Sequence, residues 1–430
     1  MNVIVIGGGI AGVATAYQLH ARGHRVCVIE QHTGVAQQAS FGAGALMLPT
    51  PLDVWTGPQW MRSRDPASSG VLTKTSWSAQ LRRFRRYVKV GRDPVQFGQR
   101  MQVMHALSEA ARTVLAALKK DHDADFGQRS GVLHVFGSAR EFAHADAALA
   151  VLAEHDIAHE VLDAAQCTAR EPAIPECAVE RGIWLPHERS GNCPLHVKQL
   201  KQVLDPSVQF EFGRRATGIR VESGRVSVEL CPREPDAANR GERDTMSADA
   251  VVVAAGTGSA ALLEQLALTM PVQPARIHAL TAPIAYPEHA PHVSVIDSTR
   301  RITITRLGER LRIAGAPLLR SGRRADAMPP AALTEQAISL LGQAAQRWIP
   351  GAMRISAALS WSDMVLLSPD GLPLVGATAH PQVFVNCAHG PAAWALSHGS
   401  ATVIADLVSG KPPALPAASL AALSPGRFAS

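Results

Sequence analysis

Residues 3–12 read Val-Ile-Val-Ile-Gly-Gly-Gly-Ile-Ala-Gly, and no other stretch restricts the fold as tightly. Val3–Ile6 is a short apolar run of the kind that fills a central parallel strand. Gly7, Gly9 and Gly12 give the spacing G-x-G-x-x-G. The first allows a tight turn, the second lets a pyrophosphate approach the backbone, and the third lets the following helix pack closely on the strand. That helix aims its free N–H groups and positive dipole end at the phosphates. Arg25-Val-Cys-Val-Ile-Glu30 reads as the next strand, and Glu30 at its end stands where a ribose-binding acid is expected. A glycine turn needed only for packing does not explain Glu30. The pattern predicts a dinucleotide site. The start is apolar, but it lacks a basic leader and is interrupted by glycines, so a signal peptide is not expected.

With 430 residues, two or more domains are expected, and 47% hydrophobic with 18% charged residues suits a globular enzyme. No apolar run reaches the eighteen residues of a membrane span. Cys27, Cys167, Cys177, Cys193, Cys231 and Cys387 are scattered without a C-x-x-C pair, which reads as reduced thiols in a cytoplasmic protein. The 17 histidines show no metal-ligand spacing such as H-E-x-x-H, so no metal site is expected. The net charge of +6 is concentrated in part at Leu81–Arg92, which holds six cations around Leu81, Phe84 and Val88. Two readings stay open there: a peripheral contact with an anionic membrane face, or a solvated basic helix packed by its apolar stripe. No nucleic-acid module accompanies the charge.

Further along, Gln37–Leu46 is a loop of small residues suited to close approach by a flat ligand. Met101, Met104, Leu107, Ala111, Val114, Leu115 and Leu118 form a helical stripe within 95–120. Strands are predicted at 131–136, 208–212, 216–222 and 225–230, and helices at 140–153 and 194–204. The stretch 232–247 is expected to be an exposed loop, and 248–256 one strand ending in small residues. Ile302–Arg306 and Arg310–Ala314 alternate about a Leu-Gly-Glu turn and read as a hairpin. Helices are expected at 331–348 and 392–408, with an irregular tail after Gly410.

Taken in order, the fingerprint ending at Glu30, the Gly131 strand, Ser190-Gly-Asn-Cys193, Ala254-Ala-Gly256, Ile304-Thr-Arg306, Ser368-Pro-Asp-Gly371 and His389-Gly390 resemble the D-amino-acid oxidase superfamily of FAD enzymes, and within it the bacterial D-amino-acid dehydrogenases. The resemblance implies an α/β protein. A Rossmann-like FAD-binding domain of the glutathione-reductase type would use residues 1–80, 189–262 and 363–430. A second α+β substrate domain with an antiparallel sheet would use 81–188 and 263–362. It implies that Gly7, Gly8, Gly9, Ile10, Ala11 and Gly12 cradle the pyrophosphate, and that Glu30 with Gln31 meets the adenosine ribose. Ser40, Gly42, Ala43 and Gly44, with His389, Gly390, Pro391 and Ala392, would approach the isoalloxazine, and Ala255 and Gly256 would also touch the cofactor. No feature argues for covalent attachment, so dissociable FAD is expected, with Cys387 a buried core thiol.

One departure matters. Enzymes of this kind usually carry a Gly-Leu-Arg-Pro motif before Pro-Asp-Gly, and its arginine grips the substrate carboxylate through two parallel hydrogen bonds. Here that position is Val365, in Trp361-Ser-Asp-Met-Val-Leu-Leu-Ser-Pro369. Either Arg306 or Arg301 reaches the carboxylate instead, or the substrate is not a simple amino acid, or catalysis is lost. The leading expectation is oxidation of a D-amino acid or proline-like imino acid by hydride transfer to the flavin, with His389 and Arg306 as candidate catalytic residues. Trp394, Trp361 and Tyr286 are candidates for the cavity wall. The alternatives are a 2-hydroxy-acid dehydrogenase with His389 as base, and a flavin-holding subunit of a heteromeric amine dehydrogenase. The electron acceptor, quinone or dioxygen, is left open. A nicotinamide enzyme is not expected, because no second glycine fingerprint with a following acid occurs.

Overall fold

The computed structural model describes residues 1–42, 44–47, 93–222, 224–233, 244–319 and 331–428. Ala43 and the basic segment 81–92 lie outside the described residues. In chain order the strands are β1 (Asn2–Ile6), β2 (Arg25–Glu30), β3 (Arg129–Phe136), β4 (Glu160–Asp163), β5 (Arg181–Ser190), β6 (Gln209–Phe212), β7 (Arg214–Glu222), β8 (Arg225–Pro232) and β9 (Asp244–Ala248). They continue with β10 (Ala250–Val253), β11 (Gln273–Pro283), β12 (Ser294–Asp297), β13 (Ile302–Leu307), β14 (Arg310–Leu319), β15 (Leu359–Leu367), β16 (Leu374–Ala377) and β17 (Val383–Cys387).

The apolar runs at Val3–Ile6 and Val251–Val253 fill the middle of a sheet ordered β16-β17-β10-β1-β2-β6, parallel except at the β16 edge. Both faces are covered, as continuous apolar strands require. Val3, Val5, Val28 and Val252 face the helices Ile10–Ala21, Cys193–Leu204 and Ala393–Val408. Ile4, Ile6, Ile29, Val251 and Val253 face a three-stranded sheet, β7-β8-β9. Each such side chain, fully buried, contributes roughly 1.5–3 kcal/mol. The helix Pro94–His122 buries Met101, Met104, Leu107, Ala111, Leu115 and Leu118 as its stripe predicts. Its N-terminus is capped by Asp93, which accepts from the Val95 N–H.

The second large sheet is ordered β15-β11-β14-β13-β12-β3-β5-β4. It is antiparallel except where β12 runs parallel to β3, setting Ile296 beside His134. The helix Ala331–Trp348 packs on it through Ala337, Leu341, Ala344 and Trp348. The expected divisions at 188/189 and 362/363 fall inside β5 and β15, which continue to Ser190 and Leu367 before the chain leaves this sheet.

Three local expectations are corrected. The strand expected over 248–256 is two strands. Asp249 interrupts it, taking the Asn2 N–H on its carboxylate at 2.7 Å, so β9 joins the three-stranded sheet and β10 the parallel one. The helix expected over 140–153 is broken into Ala139–Phe142, a 3-10 turn at Ala143–Ala145, and Asp146–Glu154. The tail after Gly410 is not irregular throughout: it forms a helix at Ala417–Leu423 and a 3-10 turn at Pro425–Phe428. Arg427 anchors it with a two-pronged contact to Asp370 at 2.8 and 3.0 Å.

Beneath the parallel sheet, His196 and His398 meet ring to ring, Nε2 to Nε2 at 2.8 Å, under Phe126 and Trp394. Burial lowers His196 to about 4 and His398 well below its ordinary value, the His196 neighbour adding to the latter. The unfolded chain protonates both near pH 6.5 and the folded chain does not. Stability from this pair is therefore complete above that pH and is lost as pH falls from about 6.5 towards about 4. The slope reaches about 1.4 kcal/mol per pH unit for each histidine. Thermal melts across pH 8 to 5 (roughly the window set by these shifts) should hold a plateau and then fall. A His196→Phe, His398→Leu variant should fall less steeply; an equal slope would sink this account.

Candidate active site

The glycine turn is built by contacts that a side chain would block. Gly7 has φ +118°, and a Cβ there would stand 2.4 Å from the Ala254 carbonyl oxygen. A Cβ on Gly12 would stand 1.8 Å from the Gly7 oxygen. The turn is thus pressed between β10 and the first turn of helix Ile10–Ala21, whose N-cap Gly9 is extended. Ser40 Oγ accepts the Ile10 N–H at 3.1 Å. The Glu30 carboxylate, almost wholly buried at 7% exposure, accepts from the N–H of Gly8 at 2.7 Å and of His32 at 2.8 Å.

A cavity of about 400 Å³ opens on this turn, lined by Gly7, Gly9, Ile10, Ala11, Glu30, Gln31 and Ser40 on one side and by Ala255, Gly256, His389 and Gly390 on the other. Gly8 and Gly12 stand behind the lining, where they let Glu30 and the helix close in. A narrow backbone cradle, helix N–H groups and a buried acid at the end of β2 fit the pyrophosphate and ribose of a dinucleotide.

A second cavity, of about 140 Å³, adjoins the first, sharing Ile10, Ser40, Val365, Ala388, His389, Gly390 and Ala393 with it. Its own walls include Gly44, Met104, Ile277, Ser298, Arg301, Thr303, Gly315, Pro391, Ala392 and Trp394. Arg301 is the only charged side chain among the described residues of this lining. Most of the wall is apolar, the character of a small-molecule site with few polar groups that orient. The 3-10 turn Gly390–Ala392 leads into helix Ala393–Val408, so N–H groups of that end face the place where the two cavities meet. His389 is buried, contacts Ser400 Oγ through Nε2 at 3.0 Å, and is lowered by burial to about 4. It is neutral at pH 7. Cys387 lines the first cavity with its thiol pushed up to about 12 by burial.

Arg306, expected here, lines neither cavity. Its Nε donates to the Gly308 carbonyl at 3.1 Å, and its guanidinium lies 3.8 Å from Glu309 in the same hairpin. The reason is the two-residue period of a strand. Ile302 and Ile304 are buried in the core under helix Ala331–Trp348, and Arg306 shares their face. Thr303 points the other way and lines the cavity, together with Arg301 from the turn just before the strand, at φ +56°. Gly42, expected to approach the flavin, instead receives the Trp361 ring, 2.0 Å from where its Cβ would be, and lines neither cavity. Trp394 lines the second cavity, whereas Tyr286 is 56% exposed beside His289 and lines neither. The cavity roles of Ser298, Met104 and Thr303 were not legible in sequence. Ser298 precedes the hairpin in a turn with no pattern of its own.

A parallel sheet carrying a glycine cradle and terminal acid, joined to a mixed sheet that walls an adjoining apolar cavity, defines a two-sheet dinucleotide-dependent enzyme. The chain belongs to the DAO family of FAD-dependent oxidoreductases, which it matches over residues 2–407. Among curated relatives, a D-amino acid dehydrogenase of Cereibacter sphaeroides is 31% identical over 432 residues, 98% of this chain and 94% of the relative. One from Granulibacter bethesdensis is 30% identical over 433 residues, covering 98% and 99%. Glycine oxidase from Geobacillus kaustophilus shares the fold with a TM-score of 0.73 at 19% identity, covering 99% of this chain and 98% of that one. L-Proline dehydrogenase from P. horikoshii does so with a TM-score of 0.67 at 15% identity, covering 100% and 97%. The protein is an FAD-dependent oxidoreductase, and no helix among the described residues is long and apolar enough to cross a membrane.

Proposed function

We propose that the protein oxidises a D-amino acid or a proline-like imino acid to the imine, which water hydrolyses to the 2-oxo acid. The observation that carries this reading is Arg301, the one charged side chain among the described residues around an apolar cavity that adjoins the flavin cradle. The relatives named D-amino acid dehydrogenase support it. Bound FAD supplies a hydride acceptor. Arg301 holds the substrate carboxylate, taking the place of the arginine that Val365 replaces, and so fixes the α-carbon against the shared wall. Met104, Ile277, Val365 and Trp394 receive the apolar part of the substrate and exclude water. The helix end behind Gly390–Ala392 favours negative charge beside the cofactor. The cradle residues Gly7–Gly12 and Glu30 hold FAD without a covalent bond. The same reading assigns residues 1–80, 189–262 and 363–430 to a flavin domain and 81–188 and 263–362 to a substrate domain, with β5 and β15 crossing between them.

Oxidation of a 2-hydroxy acid would need a base for the hydroxyl proton, and His389 at about 4 is a weak one at neutral pH. Amine oxidation requires no such group. Anaerobic mixing of the purified holoenzyme with D- and L-amino acids, proline derivatives and 2-hydroxy acids tests the proposal. Loss of oxidised-flavin absorbance with a D-amino or imino acid is expected. Bleaching by 2-hydroxy acids alone would overturn it.

A further inference from the structure

We propose that Ser298 is a second grip on the substrate carboxylate beside Arg301, and that the buried His134 positions it by fixing which way its hydroxyl hydrogen points. This rests on the amino- or imino-acid reading of the same cavity. Ser298 lies just past the end of β12, in the turn that also presents Arg301, and both line the cavity. The turn is anchored from behind. Asp297, 1% exposed, accepts the Arg300 N–H and guanidinium, each at 2.9 Å, and the Trp348 indole N–H at 2.8 Å. Gly315 of β14, at φ +144°, closes on it so tightly that a Cβ would stand 2.2 Å from the Arg301 carbonyl oxygen.

The parallel pairing of β3 with β12 brings His134 to the back of Ser298, with Nδ1 to Oγ at 2.8 Å. His134 is fully buried, and burial lowers it to about 3, so it is neutral and carries one ring hydrogen. Its Nε2 has no hydrogen-bond partner among the described residues. A hydrogen on Nε2 would be an orphaned buried donor, whereas a bare lone pair there is an under-satisfied acceptor, the commoner of the two in proteins. The hydrogen therefore sits on Nδ1 and donates to Ser298 Oγ. That bond uses the oxygen as acceptor and leaves the hydroxyl's own hydrogen to point into the cavity. A donor beside a guanidinium calls for an anionic acceptor, and a carboxylate offers one oxygen to each. Val365, which also lines the cavity, is apolar and offers no competing partner.

The test compares binding of a non-reacting aliphatic carboxylate with its matched carboxamide, read as perturbation of the flavin spectrum in the holoenzyme. KM and kcat for the substrate found in the bleaching panel are measured alongside. Ser298→Ala should weaken the carboxylate about 10- to 100-fold, the usual loss for a hydrogen bond to a charge. The carboxamide should change little, and KM should rise more than kcat falls. His134→Leu should reproduce that loss of selectivity. His134→Asn should restore most of it, because its amide nitrogen stands near the place of Nδ1. Should the leucine variant not fold, the serine and asparagine variants carry the test. Equal carboxylate selectivity in Ser298→Ala and the parent overturns the grip. Loss in Ser298→Ala with none in the His134 variants overturns the positioning role. A parent enzyme that no amino or imino acid bleaches removes the underlying reading, a failure visible before any variant is made.

Discussion

Gly12→Ala is expected to give protein that purifies without flavin. The new methyl carbon would stand 1.8 Å from the Gly7 oxygen and 2.9 Å from its carbonyl carbon. Both are backbone atoms, so no rotamer relieves the clash. Gly7 has little room on its far side, where even a Cβ would stand 2.4 Å from the Ala254 carbonyl oxygen, and β10 is fixed by its pairing with β1. The helix Ile10–Ala21 must therefore lift from the sheet, and its first N–H groups leave the line on which a pyrophosphate would sit. Disturbing this packing costs several kcal/mol, about 2–4 for a change of this kind, and at least ~100-fold in FAD affinity. The measurement is the flavin-to-protein ratio at purification, followed by FAD titration and circular dichroism to separate lost binding from lost fold. Gly342→Ala is the control. Its Cβ would meet nothing within 4 Å inside the helix Ala331–Trp348, and it should keep its flavin. A yellow, stoichiometric Gly12→Ala protein would sink this account.

The cradle was legible because its physics is local. Three glycines, an apolar run and an acid are tied to one turn, and each residue's task follows from its neighbours in sequence. The second cavity was legible only in part. The hairpin was readable, and its two-residue period puts Thr303 and Arg306 on opposite faces, with Arg301 in the turn just before it. Which face meets the cavity depends on helix Ala331–Trp348 covering the Ile302–Ile304 side, and no short-range pattern announces that. His134 and Ser298 are 164 residues apart and meet only because β3 and β12 pair in parallel within an otherwise antiparallel sheet. Gly42 misled because small residues suit both a flat ligand and a packed indole, and here the indole of Trp361 takes the space. The folded tail was hidden in a Pro- and Ala-rich composition, since its anchor is Arg427 reaching back to Asp370.

Replacing Arg301 with alanine is expected to lower kcat/KM for the amino-acid substrate by about 100- to 1000-fold, the cost of leaving a desolvated carboxylate without its guanidinium. Most of the loss should appear in KM, with kcat also falling because the α-carbon is no longer held at one angle to the acceptor. Arg301→Lys should recover only part, since an ammonium cannot make two parallel bonds. Arg306→Ala serves as the internal comparison. It removes a cation of the same hairpin from the opposite face, where its charged partner Glu309 is 86% exposed, so kcat/KM should change by no more than about twofold. The pair of variants separates a specific carboxylate contact from a general loss of positive charge. If Arg301→Ala keeps its parent's kcat/KM while Arg306→Ala loses it, the carboxylate is bound from the other face of the hairpin and the cavity assignment fails. Should both variants lose activity equally, the charge acts at long range, and adding salt should then mimic the substitutions. For a direct contact inside a water-excluding cavity, salt should leave the Arg301 effect almost unchanged.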